Sequence, residues 1–165
     1  MKTVGELVVY GMNGVCRIED IKEESFSGNA RTYYILRPNN EQGNNRIFVP
    51  ADNEKLVADM KDVLTGKALI DLVGAVSPYA EGEWPSDGRA RSKLCRETLA
   101  IGDREQLIRL IKTVYAEGRT PSASEESAAL RASILLYGEF SLSLQLEKAD
   151  VIPFVCGKRI PPIRN

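Results

Sequence analysis

Three cations recur at helical spacing in the C-terminal half of the sequence. Arg89, Lys93 and Arg96 stand at positions i, i+4 and i+7, so a helix would place all three on one face. Such a stripe can neutralise a few phosphates of a nucleic acid without reading its base sequence. The ordinary alternative is a solvated helix face, because three cations make a modest patch for a nucleic-acid-binding protein. Charge alone therefore predicts only weak, salt-sensitive binding of DNA.

The charge around this stripe is locally positive, although that of the whole chain is not. Between Trp84 and Arg119 there are eight Lys and Arg residues and five Asp and Glu residues, a balance of plus three, whereas the full chain has a net charge of -1. Trp84 is the only tryptophan and precedes the basic stripe. It has two interpretations: a packing anchor for its segment, or an exposed ring that stacks on or inserts into nucleic acid.

Catalytic chemistry has few candidate residues. The chain has no histidine, which removes Ser-His-Asp and Cys-His arrangements and histidine-bearing metal sites. No glycine-rich phosphate-binding loop of the GxGxxG or Walker type is present. The cysteines are widely separated and have no CxxC spacing, which argues against a disulfide framework or a zinc site: Cys16, Cys95 and Cys156. The remaining candidates for catalysis are four carboxylates on a predicted strand and turn, where solvated charge is the ordinary interpretation: Glu19, Asp20, Glu23 and Glu24. We therefore expect no enzyme activity, no cofactor and no metal ion.

Composition indicates a soluble globular protein. Apolar residues make up 43% and charged residues 27% of the sequence, close to ordinary globular usage. No apolar run reaches the ~18 residues that a membrane span needs. Residues 1–10 do not have the pattern of a signal peptide, because Glu6 interrupts a short apolar run. The sequence therefore predicts a cytoplasmic protein with no membrane partner.

The elements that would position these residues begin with strands. Four runs rich in Val, Ile, Tyr and Phe occupy the first fifty residues, and they are ELVVY, GVCRIEDI, ARTYYIL and NRIFVP. The breaks between them fall at 11–14, 25–29 and 39–45, and a fifth strand is predicted over 60–64. When a small sheet curls into a barrel, most of the hydrogen-bonding edges of its outer strands become paired. We therefore predict a five-stranded antiparallel barrel of Tudor-like or SH3-like type.

Helical periodicity replaces strand alternation in the second half. One short helix is predicted over 67–73 and another helix over 89–100. Two more helices are predicted to begin after caps at Asp103 and Ser122, and Glu125 is the capping-box partner of Ser122. Two adjacent apolar stripes on the last helix predict that it is buried on two sides at the centre of a bundle. The first stripe is Leu130, Ile134 and Tyr137, and the second is Ala129, Leu136 and Phe140.

These elements divide the chain into two domains. The predicted fold class is α+β, with the barrel and its short terminal helix in residues 1–74 and an all-α helical bundle in residues 89–165. Between them, the Pro- and Gly-containing segment 75–88 is predicted to be a linker. Residues 150–165 contain three prolines and are assigned no element.

Several of these runs, taken in order, resemble one family. VVYGMNGVCRIEDI, TYYIL and IFVPADN resemble the N-terminal polymerase-interacting domain of the CarD family of bacterial transcription regulators. The later order of a Trp, a basic helix, a Gly-Asp cap, an apolar helix and a Ser-x-x-Glu cap leading to GEF is similar to the C-terminal domain of that family. The resemblance covers about residues 1–146, and the joint order is more specific than any single element.

The resemblance implies a protein that binds the β subunit of RNA polymerase with its first domain and promoter DNA with its second, so that the lifetime of the open complex changes. A barrel edge strand could pair with a strand of polymerase, and the expected contact residues are Arg46, Ile47 and Phe48. The expected DNA contacts, largely independent of base sequence, are Trp84, Arg89, Arg91, Lys93 and Arg96. We expect a monomer. The alternative is an adaptor with the same two domains that binds only proteins.

Overall fold

The β-branched and aromatic runs of the first half form five strands. A computed structural model describes residues 2–39 and 44–158. Its strands are β1 (Leu7–Tyr10), β2 (Val15–Ser25), β3 (Ala30–Pro38), β4 (Ile47–Pro50) and β5 (Met60–Asp62). A 3-10 turn at Gly11–Asn13 joins β1 to β2. The five predicted strands are therefore confirmed, while part of the predicted turn at 39–45 lies outside the described residues.

The sheet has the strand order β4-β3-β2-β1-β5, and every pairing is antiparallel. A short helix, α1 (Glu54–Ala58), connects the two outer strands and contacts both of them. The Asn53 side chain caps this helix by accepting a hydrogen bond from the Leu56 amide at 3.1 Å. Within the described residues β4 and β5 do not pair, so the predicted closure of the sheet into a barrel is not seen. The chain passes from one edge to the other through a helix instead.

One face of the sheet carries the core of the first half. Strand residues alternate between buried and exposed, as a period of two requires: Cys16 and Ile18 are fully buried, whereas Arg17 between them is exposed. The buried set is Val8, Cys16, Ile18, Tyr34, Leu36, Val49 and Met60. This core anchors the strands and leaves the outer edge of β4 at the surface.

Five further helices follow in the described part of the chain: α2 (Gly66–Ala75), α3 (Gly88–Ile101), α4 (Arg104–Val114), α5 (Ala123–Leu144) and α6 (Val151–Val155). The first four begin after a side chain that accepts a hydrogen bond from the amide three residues later, and these caps are Thr65, Asp87, Asp103 and Ser122. Helix α3 ends at Gly102, whose φ of 68° is left-handed and favours glycine. The predicted helix starts at Asp103 and Ser122 are confirmed.

Helix α5 lies at the centre of these helices, as predicted, and contacts α2, α3, α4 and α6. Its Ala129, Leu136 and Phe140 are buried. The burial predicted for Leu130 and Ile134 is wrong, because these side chains are 56% and 50% exposed. They lie on a face of α5 next to the buried one, which shows that apolar spacing alone did not identify the inner face. No helix in the described ranges is both long and apolar enough to cross a bilayer.

Residue contacts divide the chain into Met1–Val63, here called unit 1, and Leu64–Asn165, called unit 2. Helix α2 belongs to unit 2, because its Leu69 and Val73 are part of the buried core of the helices. This corrects the predicted first domain of 1–74, which assigned the helix to the sheet. The apolar face of α2 was predicted from its periodicity, but periodicity does not specify which core that face joins.

The segment predicted to be a linker is also part of unit 2. Val76 is buried, the Tyr79 amide donates to Thr113 Oγ1 at 2.9 Å, and Arg109 donates to the Ser77 carbonyl at 3.1 Å. Residues 75–88 therefore pack along α4 and are not a linker between two domains. The second structural unit contains this segment and α2 in addition to the predicted residues 89–165.

The C-terminal segment forms structure that the sequence did not indicate. A 3-10 turn at Lys148–Asp150 leads into α6, whose Val151, Phe154 and Val155 are buried against the other helices. Pro153 obscured this helix in the sequence, yet it stands in the first turn, where proline is tolerated because its missing N–H has no partner to lose. Residues 159–165 lie outside the described part of the chain.

Candidate interaction surfaces

The outer strand β4 carries two of the residues predicted to contact a protein partner, and the third precedes it. One edge of β4 pairs with β3, and its other edge has no strand partner among the described residues. Such an edge offers main-chain donors and acceptors to a strand of another protein. Ile47 is half-buried, whereas Phe48 is 39% exposed. Phe48 is therefore the side chain of this strand most available to a partner.

Arg46, just before β4, is engaged in an ion pair. Its guanidinium donates to the carboxylate of Glu19 on β2. The pair is only partly exposed, so Arg46 is held along the sheet and does not project freely. Glu19, one of the carboxylates considered above for catalysis, has this structural role.

Phe48 belongs to a group of three aromatic rings, here called the aromatic cluster. Its centroid lies 5.1 Å from that of Phe26 and 6.0 Å from that of Tyr33, and Phe26 lies 5.3 Å from Tyr33. All three pairs meet edge to face, the geometry that aromatic quadrupoles favour. Tyr33 is buried, but Phe26 is 63% exposed. Phe26 could not be predicted as part of this cluster, because it lies in a predicted break between strands and has no periodic relation to Phe48.

The exposed face of α3 carries the cationic stripe. Arg89, Lys93 and Arg96 are all exposed. Lys93 pairs with Glu97 at 3.8 Å, but both side chains are well exposed and such pairs contribute little. The guanidinium groups of Arg89 and Arg96 have no ion pair or hydrogen bond with another described residue. The helix therefore brings the three predicted cations to one solvent-facing surface, and their contact with DNA stays a prediction.

Arg91 differs from its neighbours because its donors are used inside unit 2. Its Nε lies 3.1 Å from the Glu125 carboxylate, and its Nη1 donates to the carbonyls of Pro85 and Ser86 at 2.9 and 2.7 Å. This arrangement fastens the segment before α3 to α5. Arg91 therefore adds little to the exposed charge of α3, and its contact with a DNA phosphate stays a prediction.

Glu125 is the acceptor at the centre of this arrangement. Its side chain is only 6% exposed and also receives a hydrogen bond from Arg119 at 3.1 Å. A buried carboxylate needs such partners, since desolvation of an unpaired charge is costly. The Ser122 hydroxyl accepts from the Glu125 amide as predicted for a cap. The carboxylate, however, binds two arginines, and among the described residues it accepts no hydrogen bond from the Ser122 amide.

Trp84 is half-buried and packs within unit 2. Its ring stacks on Tyr79 at 5.6 Å and 27°, and the Arg119 guanidinium lies 5.6 Å from the ring centroid. The indole Nε1 is buried and has no hydrogen-bond partner among the described residues. These contacts favour the packing interpretation. The alternative contact with DNA stays a prediction and would have to use the exposed part of the ring.

The groups considered for catalysis are dispersed. No cluster of three or more His, Cys, Asp or Glu residues that could hold a metal occurs in the ranges that the structure describes. Burial raises the pKa of the Cys95 thiol above its ordinary value, and the nearby Glu125 carboxylate adds to this effect. Cys95 is therefore a neutral thiol at neutral pH, unlike the thiolate that a nucleophile requires.

The sequence of unit 1 matches a known protein family. Residues 3–63, which cover nearly all of this unit, match the family model described as the CarD-like/TRCF RID domain. Domains of this family interact with the β subunit of RNA polymerase. The resemblance noted in the sequence of the sheet is thereby confirmed, and the chain has a polymerase-interacting domain. The helical unit lies outside the matched residues.

Proposed function

From the match of residues 3–63 to the CarD-like/TRCF RID family model, we propose that this chain is a non-enzymatic regulator of bacterial transcription. Unit 1 binds the polymerase β subunit, and unit 2 contacts promoter DNA so that the lifetime of the open complex changes. The observation that carries this proposal is the family match over residues 3–63. The exposed cations of α3 support the DNA contact. We propose that the protein acts as a cytoplasmic monomer.

Polymerase binding would use the outer edge of β4. A strand of the β subunit adds to this edge, so main-chain hydrogen bonds supply affinity and the aromatic cluster supplies an apolar anchor beside them. Phe48 and Phe26 are the exposed members of that cluster. Burying a Phe side chain contributes about 1.5–3 kcal/mol, and Phe48 has 39% of its surface still to bury.

DNA binding would use the cationic face of α3. Arg89, Lys93 and Arg96 contact backbone phosphates, which position the protein but do not read base sequence. Three cations alone give weak affinity at physiological salt. Attachment of unit 1 to polymerase makes the DNA contact effectively intramolecular, so a small patch becomes sufficient.

The polymerase contact is tested by binding of the full-length chain to a fragment of the β subunit, measured by biolayer interferometry. We expect Phe48→Ser to raise the Kd by about three- to sevenfold, the factor that follows from burying the exposed 39% of a Phe side chain. Met12→Ser is the matched control, because Met12 is a 58% exposed apolar side chain of the same unit outside the aromatic cluster. Absence of binding by the unaltered chain, or equal effects of the two substitutions, would contradict the proposed contact.

A second candidate function is supported by the outer face of α5. Leu130, Ile134 and Leu142 lie on this helix at spacings of four and eight residues and are 56%, 50% and 49% exposed. An exposed apolar face is typical of a protein-docking surface, so unit 2 could bind a second protein in place of DNA. The dependence of DNA affinity on salt separates the two functions, because phosphate contacts give a steep negative slope and an adaptor gives none.

A further inference from the structure

A cleft of about 430 Å³ opens between α3 and the N-terminal part of α5. Its α3 wall includes Ser92 and Arg96, and its α5 wall includes Ser127 and Arg131. The volume lies within the ~300–1,000 Å³ typical of small-ligand sites. It is large enough for a phosphate group together with an attached sugar.

The cleft carries an excess of positive charge. One glutamate and three arginines line it, a formal balance of plus two: Glu125, Arg91, Arg96 and Arg131. Glu125 is already paired with Arg91 and with Arg119 outside the cleft lining. The guanidinium groups of Arg96 and Arg131, in contrast, have no ion pair or hydrogen bond with any residue that the structure describes. Two guanidinium groups on separate helices therefore line one cavity without a protein counter-charge.

We propose that this cleft binds a phosphate group, with Arg96 and Arg131 as its charged ligands and the hydroxyls of Ser92 and Ser127 as further donors. Guanidinium groups bind phosphate oxygens in a planar, bidentate manner, which suits an anion held between two arginines. The neighbouring Cys95 thiol brings no negative charge to the cleft, because burial raises its pKa.

The expected source of the phosphate is the backbone of DNA, and in this respect the inference rests on the proposed function. Arg96 also lines an adjoining pocket together with Arg89, so the cleft continues into the cationic face of α3. A polyanion could contact Arg89 and the cleft with successive phosphates. A free phosphate compound offers the same chemistry, so the test includes both duplex DNA and inorganic pyrophosphate.

The test uses Arg131→Gln, because Arg131 lines the cleft from α5 and is not part of the cationic stripe on α3. Fluorescence anisotropy with a labelled duplex, repeated over a range of salt concentrations, gives both the Kd and the salt slope for the full-length chain. We expect about a tenfold higher Kd and a slope reduced by about 0.9, the value for one lost phosphate contact. Lys67→Gln is the matched control: it removes one exposed positive charge of unit 2 outside the cleft and should change neither quantity.

A second variant tests whether the two arginines share one phosphate. If they do, Arg96→Gln combined with Arg131→Gln reduces the slope by about 0.9 in total and not by twice that amount. Circular dichroism at 222 nm and the Tm of each variant establish that unit 2 is folded. An Arg131→Gln chain that is folded and binds both DNA and pyrophosphate like the Lys67→Gln chain would overturn the inference.

The pyrophosphate titration, followed by isothermal calorimetry, separates this inference from the proposed function. If the unaltered chain binds pyrophosphate and Arg131→Gln abolishes this binding, the phosphate site is supported even when the unaltered chain does not bind DNA. In that case the DNA part of the proposed function fails, and the source of the phosphate is a free phosphate compound. If DNA binds but neither DNA nor pyrophosphate binding depends on Arg131, the phosphate site fails while the proposed function stands.

Discussion

The ion pair between Arg104 and Glu139 should be a main determinant of the stability of unit 2. Arg104 Nε and Nη2 each lie 2.6 Å from a carboxylate oxygen of Glu139. The Glu139 side chain is 4% and the Arg104 side chain 12% exposed. Glu139 also accepts from the Leu64 amide at 2.9 Å, so one carboxylate joins the start of α4, the residue before the Thr65 cap of α2, and α5.

Glu139→Gln removes the charge with almost no change of volume. The substitution leaves the Arg104 guanidinium desolvated without its counter-ion, which costs about 3–5 kcal/mol at sites of this kind. A domain of this size has a free energy of unfolding of only about 5–15 kcal/mol. At about 4–8 °C per kcal/mol, the Tm of unit 2 should fall by at least ~12 °C.

Urea unfolding followed by tryptophan fluorescence measures this loss, since Trp84 is the only tryptophan and belongs to unit 2. Glu97→Gln is the control: it removes the exposed Lys93–Glu97 pair and should cost no more than about 0.5 kcal/mol. Adding Arg104→Met to Glu139→Gln should recover at least half of the loss, because no desolvated charge then remains. A loss below about 1 kcal/mol for Glu139→Gln, or no recovery in the double variant, would refute the reasoning.

Three further predictions concern single residues. An added Cβ at Gly66 would lie 2.7 Å from the Ser143 carbonyl oxygen, so Gly66→Ala should destabilise the chain by about 1–3 kcal/mol. Gly74 has open space around the position of an added Cβ, so Gly74→Ala should instead stabilise the chain by about 0.5–1 kcal/mol. Equal shifts of the Tm for the two variants would contradict this prediction. Gln145 ends α5 with a φ of 56°, in the left-handed region that favours glycine. Gln145→Gly should therefore raise the free energy of unfolding, measured by urea titration, by about 0.5–1 kcal/mol, and a lower free energy of unfolding would contradict this. Because the pKa of the Cys95 thiol is raised, its alkylation by iodoacetamide should begin at higher pH in the folded chain than in the urea-unfolded chain. Mass spectrometry measures the alkylated fraction of Cys95, and coincident pH profiles for the two states would exclude the raised pKa.

Local patterns were sufficient to predict most elements of the fold. The stripe of Leu107, Leu110, Ile111 and Val114 on α4 is buried as its spacing predicted, because one helix face meets one core. The caps at Asp103 and Ser122 depend on residues only three positions apart, so they too could be predicted. Such features are local, and the sequence specifies them directly.

Features that depend on distant partners could not be predicted in this way. The exposure of Leu130 depends on which face of α5 the other helices cover, and the spacing of two adjacent apolar stripes does not decide this. Arg91 has the sequence context of a solvated cation, but its Glu125 partner is 34 positions away. Arg131 likewise gains significance only because α3 places Arg96 at the same cleft.

The most direct test of the account is the lifetime of the polymerase–promoter open complex, measured by competitor challenge with and without the full-length chain. We predict that the unaltered protein changes the lifetime. Combined substitution of Arg89, Lys93 and Arg96 by Gln should abolish the change while β-subunit binding is retained. Phe48→Ser should require a higher protein concentration for the same effect. Equal lifetimes with and without the protein, at concentrations that saturate polymerase, would contradict the account.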